Sequence, residues 1–350
     1  MKPRPLAVFF VLFVSSLASV ALAGPMTPDP ELGEILAIKI AKIPPEKLKT
    51  VVFVERRGQE LAVAGQGSVL TAIVQKAGGL SPPDLGPGES TALTLALWKK
   101  LKPQAVAIRA KDQAELTALF KGGPWKSALA VKNKEIYPFP DGLVDQAANY
   151  QDYFAAWLAG TLYPAEFAKI ENLARPQGPI SSKPIKLKIP YVAEAAVVDS
   201  RILDFVHRTL VIRFKRPLAV LSTNDGALGG VLAVGNSYSP APTWPIHHLA
   251  GYDGSMEQVY KALGLSKGQA SIMGTGADLN NLVVATKTHK DLTVTALVTA
   301  GIEGNALRAG SDEGAWVEPG TINVIVLSNR GLTPGAMANA VIFVTEAKTA

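Results

Sequence analysis

The sequence has no cysteine. That excludes disulfides, a thiolate nucleophile, thiolate metal sites and a lipoprotein anchor on an acylated Cys. Charge is sparse, at 18% of residues, against 48% apolar; this is the balance of a packed globular protein, not a disordered one. The formal net charge is +6, of which Lys2 and Arg4 supply two, leaving +4 for the rest. No Lys/Arg block interleaves with aromatics, so nothing argues for nucleic acid. Past the N-terminus no stretch is long and apolar enough to span a bilayer, and no internal repeat is found. The 350 residues are enough for two domains of ordinary size.

The N-terminus reads as a signal peptide over residues 1–23. Lys2 and Arg4 form a basic start, Leu6 to Val20 a short apolar core, and Ala21-Leu22-Ala23 an A-x-A cleavage site before Gly24-Pro25. The expectation is an exported chain, periplasmic or secreted, with no membrane anchor. A Pro-rich stretch, ARPQGPISSKPIKLKIP (Ala174 to Pro190), divides the rest of the chain, and residues 171–190 read as a semi-rigid linker. The fold expected is two layered α/β domains, 30–170 and 191–350.

In the first domain, Asp29-Pro30 caps a helix through Ile40 and Thr50 to Glu55 is a strand. Ser68 caps a helix through Lys76 that ends at Gly78-Gly79. A helix over Thr91 to Leu101 precedes the strand Ala105 to Arg109, Asp112 caps the next helix, and Gln151 to Leu162 forms the last. Strands separated by helices imply a parallel sheet. In the second domain Thr209 to Phe214, Pro217 to Ser222, Val231 to Asn236, Asn281 to Thr286 and Leu292 to Thr299 read as strands. Ser255 and Gln258 make a capping box for a helix ending at Gly264. Thr321 to Leu327 is a buried apolar strand. Thr333 then caps a helix that starts at Pro334 and lines one face with Met337, Val341 and Val344.

Several polar clusters could carry chemistry. LSTNDGALGG (Leu221 to Gly230) places Ser222 and Thr223 before Gly229 and Gly230, where glycine lets backbone approach a ligand; an ordinary Asn-Asp-Gly turn explains it equally. His247-His248 could act as acid and base or ligate a metal, yet adjacent side chains diverge, so one surface and one packing histidine is the competing reading. His207 and His289 read as structural or solvated. In MGTGADLNN (Met273 to Asn281), Thr275 and Asp278 precede a strand, and Asp278 is the candidate base or water-orienting carboxylate. After Thr299, Asn305 and Arg308 lie among glycines at a strand's C-terminal end, where α/β sheets bind ligands. Asn323 interrupts an apolar strand, where an unpaired amide would cost about 1–3 kcal/mol, so it should be bonded to backbone or to a ligand. Glu346 and Lys348 near the last helix end read as solvated when taken alone.

These runs, in order, resemble the adenosylcobinamide amidohydrolase family of corrinoid salvage. TAGIEGNALRAG, PGTINVIV, LTPGAMANAV and TEAKTA carry the resemblance most strongly, STNDGALGG and the His247-His248 region less so. The resemblance implies hydrolysis of the amide joining the corrin's propionyl arm to aminopropanol. By it, Asp278 or His248 would be the base, Asn305 an oxyanion or substrate contact, and Ser222 or Thr223 an alternative nucleophile. Arg308, Gly229, Gly230, His247, Thr275, Asn323 and Glu346 would contact substrate. No cofactor is expected beyond the corrinoid substrate, and the need for a metal is left open. The first half, through AGQGSVLTAIVQKAGGLS, KPQAVAIRA, PWKSALAVKNKEIYPFP and WLAGTLYPAEF, is similar to the C-terminal lobe of periplasmic binding proteins that deliver siderophores and cobalamin to ABC importers. That implies an ABC importer as partner. The family pattern continues past TEAKTA with a further strand and a Gly/Thr/Asp-rich turn, where this chain stops at Ala350. The alternative expectation is therefore a corrinoid-capture protein that binds without cutting, and a general solute binder is a third.

Overall fold

A computed structural model of the chain describes residues 7–12, 29–58, 60–301 and 321–349. Its strands are β1 (Ala7–Leu12), β2 (Val51–Arg57), β3 (Glu60–Ala64), β4 (Ser90–Ala92), β5 (Ala105–Arg109), β6 (Ile136–Phe139), β7 (Gly178–Pro184), β8 (Val192–Ile202), β9 (Phe205–Ser222), β10 (Gly226–Tyr238), β11 (Ala270–Thr275), β12 (Val283–His289), β13 (Leu292–Gly301) and β14 (Thr321–Ser328). Its helices are α1 (Leu32–Ala41), α2 (Val69–Lys76), α3 (Leu95–Leu101), α4 (Gln113–Lys121), α5 (Leu129–Lys132), α6 (Asp141–Asp145), α7 (Gln151–Leu162), α8 (Pro164–Ala168), α9 (Trp244–Ala262) and α10 (Pro334–Thr349). The fold is mixed α/β. Two compact units divide it: 26–175 with 242–249, and 1–25 with 176–241 and 250–350.

The N-terminal unit holds a five-stranded sheet in the order β4-β3-β2-β5-β6. Strands β2, β5 and β6 run parallel, as the alternation of strands and helices implies. β3 and β4 are antiparallel additions that the sequence reading does not contain. The chain reverses into β3 at Gly58, whose φ of 66° suits glycine. Ser68 caps α2, its hydroxyl accepting the Leu70 N–H at 3.2 Å. Asp112 precedes α4 but does not cap it; its carboxylate accepts the Arg56 N–H at 3.2 Å, at the end of β2. Trp98 stacks on Phe120 at 5.0 Å in the core. The segment 242–249 joins this unit through α7: a Cβ on Gly160 would lie 2.5 Å from the Pro242 carbonyl, and Trp157 meets Trp244 edge-on at 5.6 Å.

The C-terminal unit holds a nine-stranded sheet in the order β11-β10-β9-β1-β14-β13-β12, with β8 also on β9 and β7 outside β8. β9 runs unbroken for 18 residues where two strands are expected. Lys215-Arg216-Pro217 sits where the pairing with β10 shifts register, so Pro217 falls at an irregularity that needs no ladder N–H. Much of the expected linker is also strand. Gly178–Pro184 pairs with β8 as a sheet edge, the place where proline is tolerated. The expected capping box at Ser255 is absent. Ser255 Oγ donates instead to the Gly251 carbonyl at 2.9 Å, and α9 runs through it, interrupted at Gly251 (φ 69°). α10 starts as expected, with the Ala336 N–H on Thr333 Oγ1 at 3.2 Å and Met337, Val341 and Val344 half-buried.

β1 comes from within the expected leader. It lies between β9 and β14, parallel to the first and antiparallel to the second. Leu210, Ile212, Val220, Val234, Met273, Leu297, Ile325 and Leu327 form one apolar cluster on the inner face of this sheet. No helix among the described residues is long and apolar enough to cross a membrane.

Candidate functional site

Side chains alternate between faces along a strand, so Asn236 shares the inner face with Val234, Thr299 with Leu297, and Asn323 with Ile325. Thr299 and Asn323 pair directly across β13 and β14. Asn236 belongs to β10, several strands away in the sheet, yet the curl of the sheet brings it to them. Asn236 Nδ2 donates to Thr299 Oγ1 at 2.8 Å, and Asn323 Nδ2 donates to Asn236 Oδ1 at 2.7 Å and to the Gly274 carbonyl at 3.0 Å. All three side chains are buried. Next to Asn236, Gly235 lies tight against β9, where a Cβ would be 2.3 Å from the Leu210 carbonyl. Gly274 is held on both sides: its carbonyl by Asn323 and its N–H by Tyr252 Oη at 3.3 Å. Burial raises the Tyr252 phenol above its ordinary value.

The same end of the inner face carries an ion-pair network. Arg208 pairs in register with Asp199 on one side and Tyr238 on the other. Its guanidinium takes both oxygens of Asp278, at 3.0 and 2.8 Å, and Asp199 at 3.3 Å. Asp278 Oδ1 also accepts the Asn280 N–H at 2.9 Å. Two short strand ends and one turn therefore present a clamped carboxylate beside a buried amide cluster. Thr275 is buried nearby, its hydroxyl accepting the Ala277 N–H at 3.0 Å.

The other sequence-derived candidates scatter. Ser222 is buried, and by register it lies across β1 from Ile325, two residues from Asn323. Its Oγ accepts the N–H groups of Asn224 and Asp225 at 3.2 and 3.1 Å, which leaves its proton available to donate. Thr223 is exposed in that turn. Gly230 has a φ of 78° at the register shift of β10, so backbone conformation accounts for it, while Gly229 has open space around it. His247 and His248 fall in the segment 242–249, which belongs to the N-terminal unit and not to the unit of Asp278. Burial pushes the His247 imidazole down to about 4, with His248 adding to it. Glu346 is exposed on α10, whereas Lys348 donates to the Ile322 carbonyl at 2.8 Å, and burial lowers its ammonium. Asn305 and Arg308 lie outside the described residues. Among the described residues no group of three or more His, Asp or Glu is placed to hold a metal.

Sequence reasoning missed Asn236, Thr299 and Arg208. Asn236 was readable, since it interrupts the apolar run VLAVGNSY as Asn323 interrupts TINVIVL. Arg208 and Thr299 carry no such signal.

The sequence model of a family described as "Adenosylcobinamide amidohydrolase" (CbiZ) matches residues 193–350. A curated relative, the uncharacterized protein MJ1613 of Methanocaldococcus jannaschii, is 35% identical over 181 residues, 46% of this chain and 68% of that protein. The chain belongs to the adenosylcobinamide amidohydrolase family. Every residue of the amide cluster and of the Arg208 network lies within the stretch matched to the amidohydrolase family. Solved structures similar to this amidohydrolase-family chain include the periplasmic haem-binding protein BhuT in complex with two hemes (19% identity, 39% of this chain, 52% of that one, TM-score 0.33). Another is an ABC transporter substrate-binding protein from Listeria monocytogenes EGD-e (17% identity, 38% and 53%, TM-score 0.33). The chain spans about half the length of these solved proteins.

Proposed function

We propose that this chain hydrolyses the aminopropanol amide of adenosylcobinamide, giving adenosylcobyric acid and 1-amino-2-propanol. The observation that carries the reading is the family region 193–350 together with the polar groups gathered at one end of its inner face. Water adds to the amide carbonyl, the C–N bond breaks, and the amine leaves with a proton. Such chemistry needs an oriented water or hydroxyl, donors for the oxyanion and an acid for the leaving amine.

Asp278, fixed by Arg208, is the water-orienting carboxylate in this scheme, and Ser222 is the alternative nucleophile on the same face. Oxyanion contact stays with Asn305 and corrin side-chain contact with Arg308. His248 is the weaker base, because it belongs to the other unit.

Export and service to an ABC importer belong to the same proposal. Cleavage after Ala23 would remove β1 and leave the facing edges of β9 and β14 without that partner. The test therefore runs on two chains, the full one and one beginning at Gly24, each incubated with adenosylcobinamide and followed by mass spectrometry. Appearance of both products supports hydrolysis. Unchanged corrinoid that co-elutes with the protein would replace it with capture.

A further inference from the structure

The hydrogen bonds of the amide cluster have one direction only. Amide oxygen and nitrogen are assigned from their surroundings, and here a backbone group makes the assignment. The Gly274 carbonyl can only accept, so the Asn323 atom facing it at 3.0 Å is Nδ2. The same Nδ2 faces Asn236 at 2.7 Å, so that atom of Asn236 is Oδ1. Asn236 Nδ2 then has to face Thr299 Oγ1, at 2.8 Å. Both Nδ2 protons of Asn323 are committed, and its Oδ1 points elsewhere. Asn323 is 1% exposed, and Oδ1 has no hydrogen-bond partner. An acceptor shut away from water without a donor carries an uncompensated desolvation cost, and here the neighbours hold it in that state.

We propose that Asn323 Oδ1 reads the N–H of the substrate's secondary amide, with Asn236 and Thr299 as positioning residues that fix its orientation. This rests on the amidohydrolase reading and adds the feature by which the site would tell an amide from an ester. A locked acceptor accepts an N–H and repels an ester oxygen. Asn236 acts through Asn323: its loss removes one of the two acceptors that hold Nδ2, so Oδ1 is fixed less tightly while the Gly274 carbonyl still sets its direction. A site whose buried polar group is left unpaired by the wrong ligand discriminates strongly against it.

The test uses the full chain with two probes, adenosylcobinamide and its analogue with an ester oxygen in place of the amide N–H. Binding is measured by equilibrium dialysis, separately from turnover. Wild type is expected to bind the amide about tenfold or more tighter than the ester. Asn323→Ala is expected to bring that ratio close to one, and Asn236→Ala to lower it. Equal binding of the two probes by wild type overturns the proposal. So does a preserved ratio in both variants, even with a lowered melting midpoint, because Oδ1 would then serve only the packing of the sheet. A wild type that discriminates in binding but hydrolyses neither probe leaves this assignment standing and removes the amidohydrolase reading instead.

Discussion

The two units place their buried polar side chains differently. In the N-terminal unit several of these groups sit at or near the ends of elements: Ser68 caps α2, Asp112 takes an N–H at the end of β2, and Asn172 donates to the Glu166 carbonyl. Each answers a local need of the backbone for a partner. In the C-terminal unit some of them sit within strands and bond one another. Thr209 bonds Ser237, Asn236 bonds Thr299, and Asn323 bonds Asn236. No backbone end requires them, and apolar residues would fill those positions more cheaply.

Four changes sharpen or break that contrast, from the largest effect to the smallest. Trp98→Ala empties the centre of the N-terminal core and should cost that unit about 3–5 kcal/mol. Calorimetry should show its transition lowered, with hydrolysis per folded molecule unchanged. An equal loss of rate would mean the site depends on that core. Acid should act next. His247 is held neutral by burial, with its value lowered from 6.5 to about 4. A group depressed in this way stabilises fully above pH 6.5 and loses that contribution as pH falls through 4, up to about 3 kcal/mol. His247→Asn should flatten the dependence, and an unchanged profile would assign it to other groups. Gly235→Ala forces a Cβ against the Leu210 carbonyl. Overpacking of that kind costs about 1–3 kcal/mol and should displace Asn236, so hydrolysis should fall further than stability does. Ser68→Ala removes one cap and should cost about 1 kcal/mol, with no effect on turnover.

Local signals were legible in the sequence and long-range ones were not. The Ser68 cap, the Thr333 cap and the helix Gln151–Leu162 depend on neighbours a few residues away, and they stand where the sequence puts them. The breaks expected at Pro217 and in 171–190 came from reading proline as a terminator. At a register shift and at a sheet edge proline has no ladder bond to lose. The site divides the same way. Asn323 could be picked out because an amide in an apolar run needs a partner. That the partner is Asn236, 87 residues earlier, depends on the curl of the sheet, which no local pattern encodes. The same holds for Asp278, whose clamp is Arg208, 70 residues before it.

The measurement that bears most directly on the site is the rate of 1-amino-2-propanol release by Asp278→Asn in the full chain, beside wild type, with the melting of both chains recorded. A fall of more than about a hundredfold in a protein that still folds is the expected result, the scale of losing a group that acts on the reacting water. An unchanged rate would remove Asp278 from the chemistry and move the site away from this end of the sheet.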